Sequence, residues 1–101
     1  MKPQTNRETV DCFLAPEGVP VHQAEPGAFR FDDDYSSIEI MLPGRKYVHL
    51  PLDGTRGWRW DGNKERPTIS PSILTFIDWG REKERIELWH GFMRSGRLES
   101  C

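Results

Sequence analysis

Residues 86–97 read IELWHGFMRSGR, and this stretch decides the fold that we predict. Its large side chains alternate between two faces: one set is Ile86, Leu88, His90 and Phe92, and the other is Trp89 and Met93. A period of two residues is typical of a β-strand, whose successive side chains point to opposite faces. Ser95-Gly96 then predicts a tight turn, from which residues 97–101 return as a final strand.

The same period recurs upstream of this stretch. It indicates further strands around residues 38–40, 48–52 and 58–60, and a mostly apolar run at residues 73–77 predicts a central strand. Turn signals follow the first three of these segments at Pro43-Gly44, Asp53-Gly54 and Asp61-Gly62, the last being a strong hairpin signal. Residues 78–85 hold six charges, and we predict a loop there.

These patterns predict a mainly β fold of five or six short strands. We expect a single small antiparallel meander, arranged as an open barrel or a sandwich. Residues 28–101 form one β domain in this prediction. Residues 1–27 carry four of the eight prolines and few clustered apolar residues, so we predict an irregular N-terminal arm.

Composition excludes several classes of protein. The chain has 101 residues, a net charge of -2 and 30% charged residues, which argues against a general nucleic-acid binder. No apolar run approaches the roughly 18 residues of a membrane span, so we expect no membrane partner. Residues 1–10 do not resemble a signal peptide, and the two cysteines are too few for a disulfide scaffold. We therefore expect a cytoplasmic protein with reduced thiols.

Metal and cofactor sites are not indicated. A zinc site needs three or four converging His or Cys ligands, and the candidates are scattered without a Cys-x-x-Cys pair: His22, His49, His90, Cys12 and Cys101. Asp32, Asp33 and Asp34 lack the spaced oxygen ligands of a calcium site, which favours a solvated acidic turn. We predict neither a bound metal nor a cofactor.

The hydroxyl-rich segment 67–72 is the main candidate for chemistry. Pro67 and Pro71 bracket it and hold the backbone near extended geometry, and alternation places its hydroxyls on one side: Thr68, Ser70 and Ser72. His90 on a neighbouring strand could act as the base for a serine nucleophile, Ser70 or Ser72. The residues alone leave this interpretation nearly even with a bulge whose hydroxyls bond to backbone and a core histidine.

Such a histidine needs a group that orients its second ring nitrogen. The candidates are Asp61, Asp78 and Glu87, and none of them stands out. Trp58 and Trp60 flank Arg59 and form either a stacking platform for a ligand or, as we favour, part of the core.

Three blocks of the sequence carry a family resemblance. They are residues 57–63 (GWRWDGN), residues 67–74 (PTISPSIL) and residues 90–97 (HGFMRSGR). In this order they resemble a family of phages and bacteria, the domain of unknown function six-five-two-seven, and the likeness covers residues 38–98. Some members carry a misleading automatic label of ammonia monooxygenase. Others occur in operons for ubiquitin-like conjugation, where they look like serine-type peptidases.

The resemblance implies a small serine peptidase that processes or releases a modifier. Carried over to this chain, the nucleophile is Ser70 or Ser72, the base His90, the supporting hydroxyl Thr68 and a candidate orienter Asp61. Many members also have Cys-Pro-x-Cys-Gly and Asp-Cys-x-His elements that resemble a metal staple. Here residues 41–45 (MLPGR) replace the first element, and Trp89 replaces the cysteine before the family's histidine. The resemblance therefore implies that this chain lacks the staple, and dimerisation could compensate for it.

Two functional hypotheses follow. The first is a serine-type peptidase that acts on a protein or peptide, including a ubiquitin-like modifier. The second is a non-catalytic phage accessory protein that binds a host protein in the host cytoplasm through an aromatic surface at Trp58 and Trp60. A homodimer is compatible with both.

Overall fold

The computed structural model describes residues 9–53, 57–79 and 84–100, and for residues 76–79 and 84–88 it describes the backbone. The strands of this part are β1 (Thr9–Asp11), β2 (Phe13–Leu14), β3 (Ala28–Phe31), β4 (Ser37–Leu42), β5 (Lys46–Pro51), β6 (Arg59–Trp60), β7 (Ile69–Trp79), β8 (Glu84–Arg94) and β9 (Arg97–Ser100). A short 3-10 helix, Val21–Gln23, lies between β2 and β3.

The strands form two sheets. The five-stranded sheet has the order β1-β9-β8-β7-β6, and all its neighbours are antiparallel. The four-stranded sheet has the order β2-β3-β4-β5, in which β2 and β3 run parallel and the other pairs antiparallel. The predicted mainly β fold is confirmed. In the described part of the chain the sheets are not closed into a barrel, and a three-stranded meander, β3-β4-β5, and a four-stranded meander, β6-β7-β8-β9, take the place of a single one.

One core cluster joins the two sheets. The four-stranded sheet supplies Phe29, Ile38, Ile40, Leu42 and Leu50, and the five-stranded sheet supplies Ile69, Ile73, Trp89, Met93 and Leu98. Burial of a large apolar side chain contributes about 1.5–3 kcal/mol, so this shared core is the main stabilising contact between the sheets. The inner face of the five-stranded sheet is therefore the one that carries Ile73, Trp89 and Met93.

The predicted turn at Ser95-Gly96 is confirmed. Arg94 pairs with Arg97, which leaves a two-residue loop between β8 and β9. Both loop residues have positive φ angles, 48° and 77°, as the right-handed twist of a tight hairpin requires. The Ser95 N–H donates to the hydroxyl of Thr68 (2.9 Å), and the Gly96 N–H to the carbonyl of Pro67 (3.0 Å). This hairpin thus holds the start of the hydroxyl-rich segment.

The predicted tight hairpin at Asp61-Gly62 is wrong in length. Trp60 pairs with Ile69, so the connection between β6 and β7 runs through residues 61–68. One carboxylate oxygen of Asp61 accepts the N–H groups of Asn63 (3.0 Å) and Thr68 (3.2 Å). These side-chain bonds close a wider loop than the dipeptide alone would.

The prediction of a loop over the charged segment 78–85 is wrong at both ends of the segment, where the chain is paired in strands. The β7/β8 ladder continues through Asp78 opposite Arg85 and Trp79 opposite Glu84. The hydrogen bonds of a ladder are made by main-chain N–H and C=O groups, so an established ladder can extend through charged residues.

Residues 9–27 belong to the segment predicted as an irregular arm. Within it, β1 pairs with β9 and β2 with β3, so parts of the arm form edge strands of both sheets. Val21 of the 3-10 helix is fully buried and packs with Ala24, Ala28 and Met41 in a second apolar cluster. The domain boundary at residue 28 stays a prediction.

Candidate active site

The candidate site begins with a bulge in β7. Ile69 lies opposite Met93 and Ile73 opposite Gly91, so three residues of β7, Ser70-Pro71-Ser72, span the place of one residue of β8. Pro71 has no N–H to donate to a ladder, and the Ser70–Pro71 peptide bond is cis. Bulges of this kind re-aim side chains and are frequent beside active sites. Strict alternation therefore does not hold along this segment.

The bulge brings Ser72 to His90. The hydroxyl oxygen of Ser72 lies 3.1 Å from Nε2 of His90, and both residues are half-buried. His90 also lies directly opposite Leu74 in the β7/β8 ladder. Since its neighbours Trp89 and Gly91 face the core, the imidazole lies on the outer face of the five-stranded sheet.

A second register shift lies between Thr75 and Phe76. It leaves Leu88 as an extra residue in β8, so the predicted alternation over residues 86–92 is interrupted there. The part of the pattern that places His90 and Phe92 on one face and Trp89 and Met93 on the other lies beyond this shift. Trp89 and Met93 are buried, and His90 and Phe92 are half-buried.

The Ser72–His90 contact has the geometry of a nucleophile and its base. A neutral imidazole with its proton on Nδ1 leaves Nε2 as an acceptor, and the Ser72 hydroxyl can then donate to it. A heavy-atom distance of 3.1 Å is within reach for proton transfer. The imidazole can therefore take the hydroxyl proton as the serine oxygen attacks an electrophile.

The other two hydroxyls of the segment have different surroundings. Ser70 is exposed and lies opposite Arg59 in the β6/β7 ladder. Thr68 accepts the N–H of Ser95 through its hydroxyl oxygen. The hydrogen bond to His90 in the described structure comes from Ser72.

The structure also locates the carboxylates considered as orienters of His90. Asp61 is engaged with the backbone N–H groups of Asn63 and Thr68, and this holds the β6–β7 loop. The side chains of Asp78 and Glu87 lie outside the described residues. Among the side chains that are described, none is hydrogen-bonded to Nδ1 of His90, so the described arrangement is a Ser–His pair.

The two tryptophans of the Trp58-Arg59-Trp60 segment are half-buried and pack against the core cluster. Trp58 Nε1 donates to the backbone carbonyl of Ser72 (3.2 Å). Trp60 Nε1 donates to the carbonyl of Asn63 (2.9 Å), and its ring stacks on Tyr35 with the centroids 5.5 Å apart. These contacts agree with the core interpretation, which the sequence left open beside a binding platform.

A second serine–histidine contact was not expected from the sequence. His49 Nε2 lies 2.9 Å from the hydroxyl of Ser37, and that hydroxyl donates to Asp32 (3.0 Å). Asp32 also accepts from the Ser36 hydroxyl and from the N–H groups of Ser36 and Ser37. The largest contribution comes from the hydrogen bond of the Ser36 hydroxyl. Together these hydrogen bonds lower the pKa of Asp32 to about 2, although desolvation acts in the opposite direction and raises it. The signal in the sequence is an acid followed four and five residues later by serines.

The described residues bear on metal and membrane sites as well. Among them, no group of three or more His, Cys, Asp and Glu side chains could hold a metal ion. They also contain no helix that is long and apolar enough to cross a membrane.

Burial, and secondly the charge of Asp11, raise the pKa of the Cys12 thiol to about 12, which disfavours the thiolate that binds metals. Cys101 lies outside the described residues.

Comparison with known proteins gives one family match. The family model described as "bacterial ubiquitination-like system serine protease (BubE)" matches residues 17–101. Neither the search of curated proteins nor the search of solved structures found a match. The predicted resemblance to serine-type peptidases of ubiquitin-like systems is confirmed at this level, whereas the six-five-two-seven assignment and its motif blocks stay a prediction. Because the match spans most of the sequence, the chain belongs to the bacterial ubiquitination-like system serine protease family.

Proposed function

We propose that the chain is a serine peptidase in which Ser72 is the nucleophile and His90 the general base. The observation that carries the proposal is the 3.1 Å contact between the Ser72 hydroxyl and His90 Nε2 on the outer face of the five-stranded sheet. The description of the family as a serine protease supports the reaction class. The contact favours Ser72 over Ser70. Ser72 makes the contact with His90, whereas Ser70 is exposed and lies opposite Arg59 in the β6/β7 ladder.

The proposed reaction has two halves. In the first, Ser72 Oγ attacks the carbonyl carbon of the scissile amide while its proton passes to His90 Nε2. His90 then gives this proton to the leaving amine nitrogen, the C–N bond breaks, and an acyl ester on Ser72 remains. In the second half, a water loses a proton to His90 and attacks the ester carbonyl carbon. The bond between that carbon and Ser72 Oγ then breaks, the carboxylic acid product leaves, and His90 returns the proton to Ser72 Oγ.

The oxyanion that forms in each half needs a hydrogen-bond donor. Serine peptidases commonly use the N–H of the nucleophile itself for this purpose. In this chain, Ser72 lies in the bulge and outside the paired register of β7 and β8. We assign its N–H to the oxyanion, since Pro71 before it has no N–H to offer.

The surroundings of the pair suit an extended peptide. Leu74, opposite His90, is 42% exposed and offers aliphatic surface beside the pair. Phe92 is half-buried, and the Arg94 guanidinium lies 4.1 Å from its ring centroid. An outer sheet face with apolar and cationic groups can receive a segment of a protein chain, and the family's ubiquitination-like context makes a modifier protein the proposed substrate.

Labelling with a fluorophosphonate probe and peptide mass spectrometry tests the proposal. An activated serine attacks the phosphorus, fluoride leaves, and the serine proton passes to the base. We expect one adduct on Ser72, which Ser72→Ala and His90→Ala abolish. Ser70→Ala is the matched control, because it removes a hydroxyl from the same bulge and should leave the adduct in place. No adduct on the folded wild-type protein, or an adduct indifferent to His90, would overturn the proposal and return attention to a binding function.

A further inference from the structure

The Ser72 backbone lacks the support that a regular strand would give it. The β7/β8 register jumps from Ile69 to Ile73 on β7, so Ser72 is not paired with a residue of β8. Its carbonyl instead accepts a hydrogen bond from Nε1 of Trp58 at 3.2 Å. A side chain therefore holds the residue that presents the candidate nucleophile.

Trp58 is itself well anchored. Its backbone N–H donates to the carbonyl of Pro51 (2.8 Å), at the end of β5 in the other sheet. The preceding Gly57 N–H donates to the Asp53 carboxylate (2.7 Å), and a Cβ on Gly57 would collide with the backbone oxygen of Pro51. The Trp58 indole is half-buried against the core cluster. The Trp58 side chain therefore has little conformational freedom, and its indole N–H is held in a fixed position.

We infer that Trp58 is a positioning residue of the active site. Its indole N–H fixes the Ser72 carbonyl, and thereby sets the distance from the Ser72 hydroxyl to His90. The inference rests on the proposed function. It adds a residue that touches neither the substrate nor the reacting atoms, and whose effect passes through the backbone of the bulge.

Trp60, at the end of the Trp58-Arg59-Trp60 segment, provides a matched control. Its indole N–H donates to the carbonyl of Asn63 in the β6–β7 loop, and its ring lies against Tyr35 and Phe31. It is half-buried like Trp58, so the same substitution removes a similar area of apolar contact. The two residues differ in the acceptor of the indole N–H, which is the Ser72 carbonyl for Trp58 and the Asn63 carbonyl for Trp60.

The test measures fluorophosphonate labelling of Ser72 over a range of probe concentrations in the wild type, Trp58→Phe and Trp60→Phe. Loss of one hydrogen bond corresponds to about 0.5–1.5 kcal/mol, so we expect the maximal labelling rate of Trp58→Phe to fall about 2- to 13-fold. The half-saturating probe concentration should stay unchanged, because Trp58 does not contact the probe. Trp60→Phe should keep both quantities. Equal maximal rates in the two variants would overturn the inference.

A second variant covers the case in which Trp58→Phe fails to fold. Replacing the Trp58 indole with benzothiophene, where sulfur takes the place of the N–H, keeps the shape and removes the donor. The same fall in maximal rate is expected in a variant that still folds, with the melting temperature lowered by several degrees because one hydrogen bond is lost. An unchanged labelling rate would contradict the positioning role. If wild-type Ser72 takes no label at all, the proposed function fails and the positioning role fails with it.

Discussion

His49 Nε2 lies 2.9 Å from the hydroxyl of Ser37, slightly closer than His90 Nε2 lies to the hydroxyl of Ser72 at 3.1 Å. The two contacts differ in where the serine proton goes. Ser37 donates its single hydroxyl proton to Asp32, so its oxygen can only accept from His49. In that arrangement the imidazole is a donor and does not act as a base towards Ser37.

The first prediction follows from this difference. We expect no fluorophosphonate adduct on Ser37, and we expect His49→Ala to leave labelling of Ser72 unchanged. Ser37 is 9% exposed, so Ser37→Ala should lower the melting temperature by about 4–8 °C, which corresponds to about 1 kcal/mol in a domain of this size. An adduct on Ser37 that depends on His49 would show that this contact is also activated.

The second prediction concerns the response of Asp32 to acid. Its pKa is lowered to about 2 in the folded chain, so the folded state favours the carboxylate. A group of this kind contributes stability above its ordinary pKa of 3.8, and loses it as the pH falls towards 2. The melting temperature of Asp32→Asn should therefore lie below the wild type at pH 7, and the difference should shrink between about pH 4 and pH 2.

Asp33→Asn is the control for this comparison. It removes a charge from the same turn and leaves the serine hydrogen bonds to Asp32 intact. A difference between Asp32→Asn and the wild type that stays constant down to pH 2 would contradict the assignment of the low pKa to the folded state.

The third prediction concerns Cys12. Because burial and then Asp11 raise the pKa of its thiol to about 12, very little thiolate exists at pH 8. Alkylation by iodoacetamide in the native state should be much slower than in denaturant, since the thiolate is the nucleophile. Mass spectrometry of the Cys101→Ser variant would assign the modification to Cys12 alone. Native alkylation as fast as in the denatured protein would contradict the raised pKa of this partly buried thiol.

Local patterns predicted those parts of the fold that depend on local rules. The Ser95-Gly96 turn follows from a glycine, which adopts positive φ without steric cost, next to a small residue, and the period of two around His90 follows from strand geometry. The same alternation indicated that Trp89 and His90 lie on opposite faces. Tertiary packing decides which of the two faces packs against the other sheet, and the alternation along one strand does not predict that choice.

The approach of Ser72 to His90 required more than a local rule. Alternation treated Ser70 and Ser72 as equivalent, but the extra residues of the bulge depend on the pairing of Ile69 and Ile73 with β8. The Trp58–Ser72 hydrogen bond likewise joins residues whose contact is set by the position of β6 beside β7. Long-range register of this kind is not encoded in the spacing of side chains along one strand.

The fourth prediction concerns Gly91, which follows His90 in β8. A Cβ at this position would collide with the backbone oxygen of Glu99 and lie 2.5 Å from Cη2 of Trp89. Gly91→Ala should therefore cost about 1–3 kcal/mol of folding free energy by overpacking, measured by urea unfolding, and should slow labelling of Ser72 by shifting His90. Adding Trp89→Phe to this variant should restore part of the lost folding free energy, because the smaller ring no longer reaches the new Cβ. The substitution breaks no hydrogen bond that the structure describes, because Trp89 Nε1 is buried without a partner among the described residues. Full restoration would mean that the Glu99 backbone is not a rigid obstacle, and a Gly91→Ala variant as stable as the wild type would contradict the packing of β8 against β9.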